Sequence, residues 1–307
     1  MKAAEFLDTM VIDDRTVDFD SYIHPEEIAK IRSAASYHEQ VKRLFLDGES
    51  HTGLQLPWSK ARDEFRFRDS ELTIWTGYNG HKKSLMLGYV MLALIAQGAK
   101  GCIASLEMPP RKTLWRMCKQ YVGNGEPSMP YVEKYFQFLN QKLWIYDQVG
   151  AVKAERMIGV ARYAINELGV THFVIDSLMK CGINEDDYNK QKWFCDELAT
   201  LAKDTGAHIH LVAHARKPTD GKEGIPSTKY AVAGSGNITN MADNVIVMFC
   251  NKDEARDYDA MLVVEKQRNG EHEPKYLLHF DDSSLQFKPY KTAPRMSVEE
   301  WRDCRWQ

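Results

Sequence analysis

Apolar and polar positions follow two rhythms in this chain. Short apolar runs at Leu72 to Thr76, Gly101 to Leu106, Leu143 to Tyr146, His172 to Asp176 and His208 to Ala213 predict buried strands. Between them, apolar residues recur at three- and four-residue steps, which predicts helices at Pro110 to Tyr121, Pro130 to Leu139, Val152 to Leu168 and Tyr188 to Asp204. The stretch Leu85 to Ala96 is apolar throughout and reads as a core helix, too short to span a bilayer. Strands alternating with helices imply crossover connections, hence an α/β fold with a mainly parallel twisted sheet covered on both faces. Beyond that region the rhythm changes to strands at Asn244 to Phe249, Ala260 to Glu265, Lys275 to Phe280 and Leu285 to Phe287, expected as an antiparallel meander at one edge.

The N-terminal part is different in kind. Residues 1 to 23 carry a surplus of acids without sustained periodicity and read as an arm. From Pro25 to Asp47 an amphipathic helix is expected, packed either on its own domain or on a neighbouring subunit. Gly48 to Lys60 has the punctuation of a linker, with Leu56 and Trp58 as anchors. The expected division is residues 1–60 as arm, linker helix and linker, 61–288 as the main domain, and 289–307 as a polar tail.

Composition narrows the classes. At 307 residues and 44% hydrophobic content, the chain can bury one large α/β core with appendages. A net charge of −3 provides no global basic field, so a nucleic-acid partner must be met by local loops. Six scattered cysteines form no C-x-x-C pair and read as reduced intracellular thiols, without a zinc module. The acidic start resembles neither a transit peptide nor a signal peptide, so the protein is expected to stay where it is made, with no membrane partner.

The chemistry centres on Glu71 to Gly88, ELTIWTGYNGHKKSLMLG. An apolar strand, a glycine turn and Lys-Ser opening a helix are the context of the phosphate-binding pattern G-x-x-x-x-G-K-[ST]. Gly77, Lys83 and Ser84 keep their places, Asn79 and Gly80 lie in the turn, and Lys82 replaces the second glycine. Backbone N–H groups at a helix N-terminus favour phosphate, while a lysine reaches the terminal phosphates and a hydroxyl ligates magnesium. ATP or another nucleoside triphosphate with Mg²⁺ is therefore the expected ligand. Lys82 is expected to weaken binding and hydrolysis, because a side chain at positive φ costs about 1 to 2 kcal/mol and adds bulk beside the phosphates.

Two carboxylates fall at strand ends. Asp176 closes THFVID, where a parallel sheet presents its ligands, and is the natural partner of the magnesium. Glu107, in SLEMPPRK, reads either as the group that orients and deprotonates an attacking water or as a helix-capping acid. His208, His210 and His214 in HIHLVAHARK line one strand face and lack a Cys or carboxylate, so a metal reading is set aside in favour of His214 as a polar group that feels the γ-phosphate. Lys217 to Gly236 is long enough to be a functional loop. VVEKQRNGEHE reads by itself as a hairpin turn.

The ordered set GYNGHKKS, SLEMP, VIDSL, LVAHARK, GSGNITNMADNVI and EKQRNG resembles the RecA-like motor domain of hexameric replicative DNA helicases, the DnaB-like family with its phage and mitochondrial relatives. The resemblance covers about residues 50 to 288. It implies an ATP-driven helicase that assembles as a hexameric ring and moves along single-stranded DNA from 5′ to 3′. It implies Lys83 on the β- and γ-phosphates, Ser84 and Asp176 on magnesium, Glu107 as catalytic base and His214 as γ-phosphate sensor. Lys266 and Arg268 stand where the family reaches into the neighbouring subunit's nucleotide, which favours the docking of the Pro25 to Asp47 helix on that subunit. The loops Met179 to Asn189 and Lys217 to Gly236 match channel-facing segments, with Lys222 and Lys229 as candidate DNA contacts. A primase, polymerase or loader is a further partner of such a motor, in the cytoplasm of a bacterium or a phage-infected cell. The alternative is a catalytically weak ring or DNA-binding regulator, favoured by Lys82 alone.

Overall fold

In a computed structural model that describes residues 11–12, 18–23, 33–47, 52–184, 186–216, 226, 228–229, 236–298 and 300, the strands are β1 (Val11–Ile12), β2 (Leu54–Gln55), β3 (Arg66–Phe67), β4 (Leu72–Thr76), β5 (Gly101–Ser105), β6 (Leu143–Tyr146), β7 (His172–Asp176), β8 (His208–Val212), β9 (Asn244–Cys250), β10 (Ala260–Gln267), β11 (Lys275–Asp281) and β12 (Gln286–Lys288). The α-helices are α1 (His38–Asp47), α2 (Lys83–Ala96), α3 (Pro110–Val122), α4 (Met129–Leu139), α5 (Ala154–Leu168), α6 (Tyr188–Thr205) and α7 (Gly236–Met241). Ten strands make one sheet in the order β1-β6-β5-β7-β8-β4-β9-β10-β11-β12, and β2 pairs with β3 alone. From β1 to β9 along that order every pairing is parallel; β10, β11 and β12 are antiparallel.

The parallel strands read as unbroken apolar runs because helices cover both faces. Every residue of β4, β5, β7, β8 and β9 is buried. Alternate residues of each strand enter opposite cores: Leu72, Ile74, Phe173 and Ile175 face α5, α6 and α7, while Trp75, Val174 and Val212 face α2, α3 and α4. Helix α2 is apolar almost all round, as a helix sealed inside a core must be. Helix α3 opens with proline in its first turn and closes at Gly123 in the left-handed conformation. No helix among the described residues is long and apolar enough to cross a membrane, and the five described cysteines are buried and unbridged.

Several expectations are corrected. Strand β9 does not belong to the antiparallel meander: it runs parallel beside β4, and its continuous apolar sequence reflects burial on both faces. The segment read as an arm contributes to the main sheet, since β1 extends it beside β6 and Phe19 is fully buried against α5. Gly159 of α5 permits that approach, because a Cβ there would lie 2.4 Å from the Phe19 carbonyl oxygen. The linker residues Leu56 and Trp58 are likewise core residues, and the Trp58 indole donates to the Phe287 carbonyl at 2.7 Å. The helix expected from Pro25 is interrupted, because Ser33 is extended and a 3₁₀ turn at Ala34–Tyr37 leads into α1. Residues 24–32 lie outside the described residues.

Three imidazoles are buried beside the phosphate-loop strand. His172, His208 and His210 stack with ring centroids 4.6 to 5.4 Å apart, and Phe67 packs edge-on against two of them. The Trp75 indole donates to His210 Nδ1 at 3.2 Å, so neutral His210 carries its proton on Nε2, which donates to His172 Nδ1 at 3.1 Å. His208 Nδ1 donates to the Arg68 carbonyl, and its Nε2 accepts from Thr73 Oγ1 at 2.7 Å. Burial pushes His208 down to about 4 and the other two well below the ordinary value of 6.5. The unfolded chain therefore binds protons that the native chain refuses. Stability that is complete above pH 6.5 is expected to decline as pH falls from 6.5 toward 4, at up to about 1.4 kcal/mol per pH unit for each imidazole. Urea denaturation at pH 7.5 and pH 5 checks this, and an unchanged midpoint would contradict the neutral stack.

Candidate functional site

The phosphate loop is shaped by its glycines and its lysine. Gly77 sits at φ +143°, and a Cβ there would lie 2.2 Å from the Met248 carbonyl oxygen, so the loop packs on β9 only with glycine. Gly80 supplies a left-handed turn at φ +79°. Lys82 also adopts the left-handed conformation, φ 56° and ψ 24°, as the residue capping α2. Its side chain does not fill the loop: the ammonium lies 3.8 Å from the centroid of the Phe280 ring. Buried His81 accepts the Cys250 N–H at 3.1 Å and pins the loop tip to β9.

Lys83 is 5% exposed, and its ammonium donates to the Gly77 and Tyr78 carbonyls, both at 2.9 Å. Burial lowers it to about 8, against the opposing pull of Asp176 and Glu107. Ser84 follows at the surface of the same turn and hydrogen-bonds Asp176. Burial raises the Asp176 carboxyl, an effect that Ser84 and Lys83 oppose. The Asp176–Ser177 peptide is cis.

Glu107 follows β5, and Ser177 donates to its carboxylate at 2.8 Å. His214 Nε2 lies 3.7 Å from the same oxygen, longer than a formed hydrogen bond but close enough for charge. His214 and Ser177 hold Glu107 down to about 2, although burial opposes them. A carboxylate so acidic is ionised throughout the working range, which suits it to orienting a water more than to removing a proton in a single strong step. Lys83, Ser84, Glu107, Asp176 and His214, with Asn79, Gly80 and Lys82, line one cavity of about 430 Å³.

Its donor set fits a magnesium nucleotide. The Ser84 hydroxyl and the buried Asp176 carboxylate offer the oxygen ligands magnesium requires, and the Lys83 ammonium together with the N-terminus of α2 offers positive charge for phosphates.

Lys266 and Arg268 are not in this cavity. Strand β10 is antiparallel, so Lys266 pairs with Val245 at the level where β4 begins, while the phosphate loop leaves the other end of β4. The strand alone separates the two edges by about 13 Å. Lys266 donates to the Thr239, Asn240 and Ala242 carbonyls at 3.0, 3.1 and 2.7 Å, capping the end of α7. Arg268 pairs with Asp243 at 2.9 Å and donates to the Asn240 carbonyl at 3.2 Å, with 42% of its side chain exposed. Lys229 contacts Glu265 and Glu273, also away from the cavity. Lys222 lies outside the described residues.

Several site residues escaped the sequence reading. Arg116 of α3 lines the cavity and makes no salt bridge among the described residues. Its signal is its position on the helix that follows SLEMP. Ser177, next to Asp176 in VIDS, holds Glu107. At the opposite edge, buried Glu71 accepts from Asn244 and Asn269, both at 2.8 Å, and Asn244 continues to Thr73 at 3.0 Å. Asp243 accepts the Leu72 N–H at 2.9 Å as well as Arg268. No local pattern marks these residues, because their partners are distant in sequence.

Comparison with known proteins agrees with this architecture. The family described as an AAA domain matches residues 66–220, half of the chain. The structure is similar to a solved helicase ATPase domain, with a TM-score of 0.70 at 13% identity, covering 84% of this chain and 99% of that one. It is also similar to a DnaB-like replicative helicase, solved in a study of that helicase's interactions with primase, with a TM-score of 0.67 at 12% identity, covering 84% of this chain and 67% of that one. The fold is that of these helicase ATPase domains, and the chain belongs to the AAA domain family of P-loop proteins.

Proposed function

We infer that this chain is the ATP-dependent motor of a replicative DNA helicase, acting as a hexameric ring on single-stranded DNA and moving 5′ to 3′. The observation that carries the reading is the convergence of Lys83, Ser84, Asp176, Glu107 and His214 around one cavity at the C-terminal edge of the parallel sheet. Lys83 binds the β- and γ-phosphates, and Ser84 with Asp176 holds magnesium, which when bound neutralises phosphate charge. Glu107 orients the attacking water, and His214, touching Glu107, senses the terminal phosphate. Hydrolysis and movement are thereby linked through one side-chain pair.

Ring assembly is supported by what the single chain leaves incomplete. Lys266 and Arg268 lie at the edge remote from their own phosphate loop, so they can serve a nucleotide only in another copy. Helix α1 exposes Val41, Phe45 and Leu46, with Tyr37 before it, an apolar stripe that fits docking on the neighbouring subunit. A primase, polymerase or loader would act on the assembled ring. Lys222 and Lys229 are retained as candidate DNA contacts on the loop that joins β8 to α7.

The second reading, a catalytically weak ring or DNA-binding regulator, is favoured by Lys82 at φ 56°. Its left-handed backbone is already adopted in the folded chain, so the cost of about 1 to 2 kcal/mol falls mainly on folding rather than on nucleotide binding. This weakens the strain argument for inactivity.

ATP hydrolysis by the assembled chain is expected to rise with single-stranded DNA, to fall about a thousand-fold in Arg268→Ala, and to be lost in Glu107→Gln. Absence of hydrolysis in the wild-type chain, with its appearance in Lys82→Gly, would select the second reading. Nucleotide affinity should also follow the Lys83 charge. Deprotonation above about 8 removes the phosphate-binding form, so the Kd for ATP is expected to increase about ten-fold from pH 7 to pH 9 in calorimetric titration.

A further inference from the structure

One wall of the phosphate-loop cavity takes no part in the chemistry above. It is formed by Phe280, Asp282 and Leu285, from the end of β11 and the turn after it. The Phe280 ring is set from behind by Phe287, with centroids 5.0 Å apart, and the Phe280 N–H donates to Asp259 at 2.9 Å. No other phenyl ring lines the cavity among the described residues. The cavity is thus cationic and acidic at the end of Lys83, Glu107 and His214, and aromatic at the end of Phe280. Lys82 spans the two, with its backbone at the N-terminus of α2 and its ammonium on the Phe280 face.

We propose that the Phe280 wall is the nucleoside seat of this chain, and that Lys82 is its displaceable cover. The proposal rests on the nucleotide reading of the phosphate loop. A triphosphate lying along the loop with its terminal phosphate toward Glu107 and His214 directs its nucleoside to Phe280. A base stacked on an aromatic face gains more than a water-exposed ammonium does on the same face, so the base displaces Lys82. The released ammonium, one residue from Lys83, turns to the phosphates and adds charge where the usual glycine has none. Asp282, whose carboxylate only accepts, takes a ribose hydroxyl or an exocyclic amino hydrogen. The lysine that breaks the phosphate-loop pattern is thereby a specificity residue that separates nucleoside triphosphate from bare polyphosphate.

The test is calorimetric binding of Mg-ATP and of Mg-tripolyphosphate, which has no nucleoside, to the full chain and its variants. Wild type is expected to prefer ATP. Phe280→Leu should weaken ATP about ten-fold and leave tripolyphosphate within roughly two-fold, whereas Phe280→Tyr keeps the wild-type preference and controls for folding. Lys82→Met should weaken tripolyphosphate more than ATP, because ATP no longer has to displace the ammonium, and so widen the preference. Equal weakening of both ligands by Phe280→Leu, or an unchanged preference in Lys82→Met, would overturn the proposal. Tripolyphosphate bound as tightly as ATP by the wild type would remove the seat and leave the phosphate loop standing; binding of neither would remove both.

Discussion

A buried ammonium governs the phosphate loop. Lys83 stands at the N-terminus of a helix sealed in the core, where the helix dipole is already positive, and burial weakens its hold on the proton. Two pairs of groups keep the charge: the Gly77 and Tyr78 carbonyls that curl over it, and the nearby Asp176 and Glu107 carboxylates. That curl requires the loop to press on β9, which in turn requires glycine at position 77. The same turn sets Ser84 beside Asp176. The site is therefore a balance of charges that a bound anion would complete, and the fold serves to keep water from completing it first.

The sheet separates two kinds of polar chemistry by its length. At the C-terminal edge, β4, β5 and β7 deliver the loop, Glu107 and Asp176 to one cavity. At the N-terminal edge, buried carboxylates do structural service: Glu71 holds Asn244 and Asn269, and Asp243 ties the start of β4 to Arg268. These contacts fix the turn after β10, which presents Lys266 and Arg268 to the outside. Between the edges lies the stacked imidazole layer, neutral because every ring nitrogen seen to bond has a partner that fits the neutral tautomer. The polar network thus reaches from the exposed basic turn to the strand that carries the phosphate loop.

Lys82 illustrates how a local rule can mislead. From the pattern alone, a lysine in place of glycine predicts strain and obstruction beside the phosphates. The strain is present, since the residue is left-handed, but the obstruction is not, because the side chain leaves the loop and lies on Phe280. That outcome depends on an aromatic residue far along the chain, which no local reading could supply. The antiparallel edge of the sheet, β10 to β12, is what brings the two together.

By itself the sequence determined the order of strands and helices from β4 to β8, the phosphate loop, and the carboxylates at two strand ends, because periodicity, glycine turns and strand-end position act over a few residues. It also contained the signal for the parallel placement of β9, a seven-residue buried run, although strand rhythm alone assigned it to the meander. Only the tertiary structure decided that Val11–Ile12 and Phe19 join the core, that Arg116 faces the cavity and that Lys266 and Arg268 face away from it. Those placements depend on pairings between distant segments. Sheet order sets them, and a single sequence encodes sheet order only through the summed burial of residues that are not neighbours.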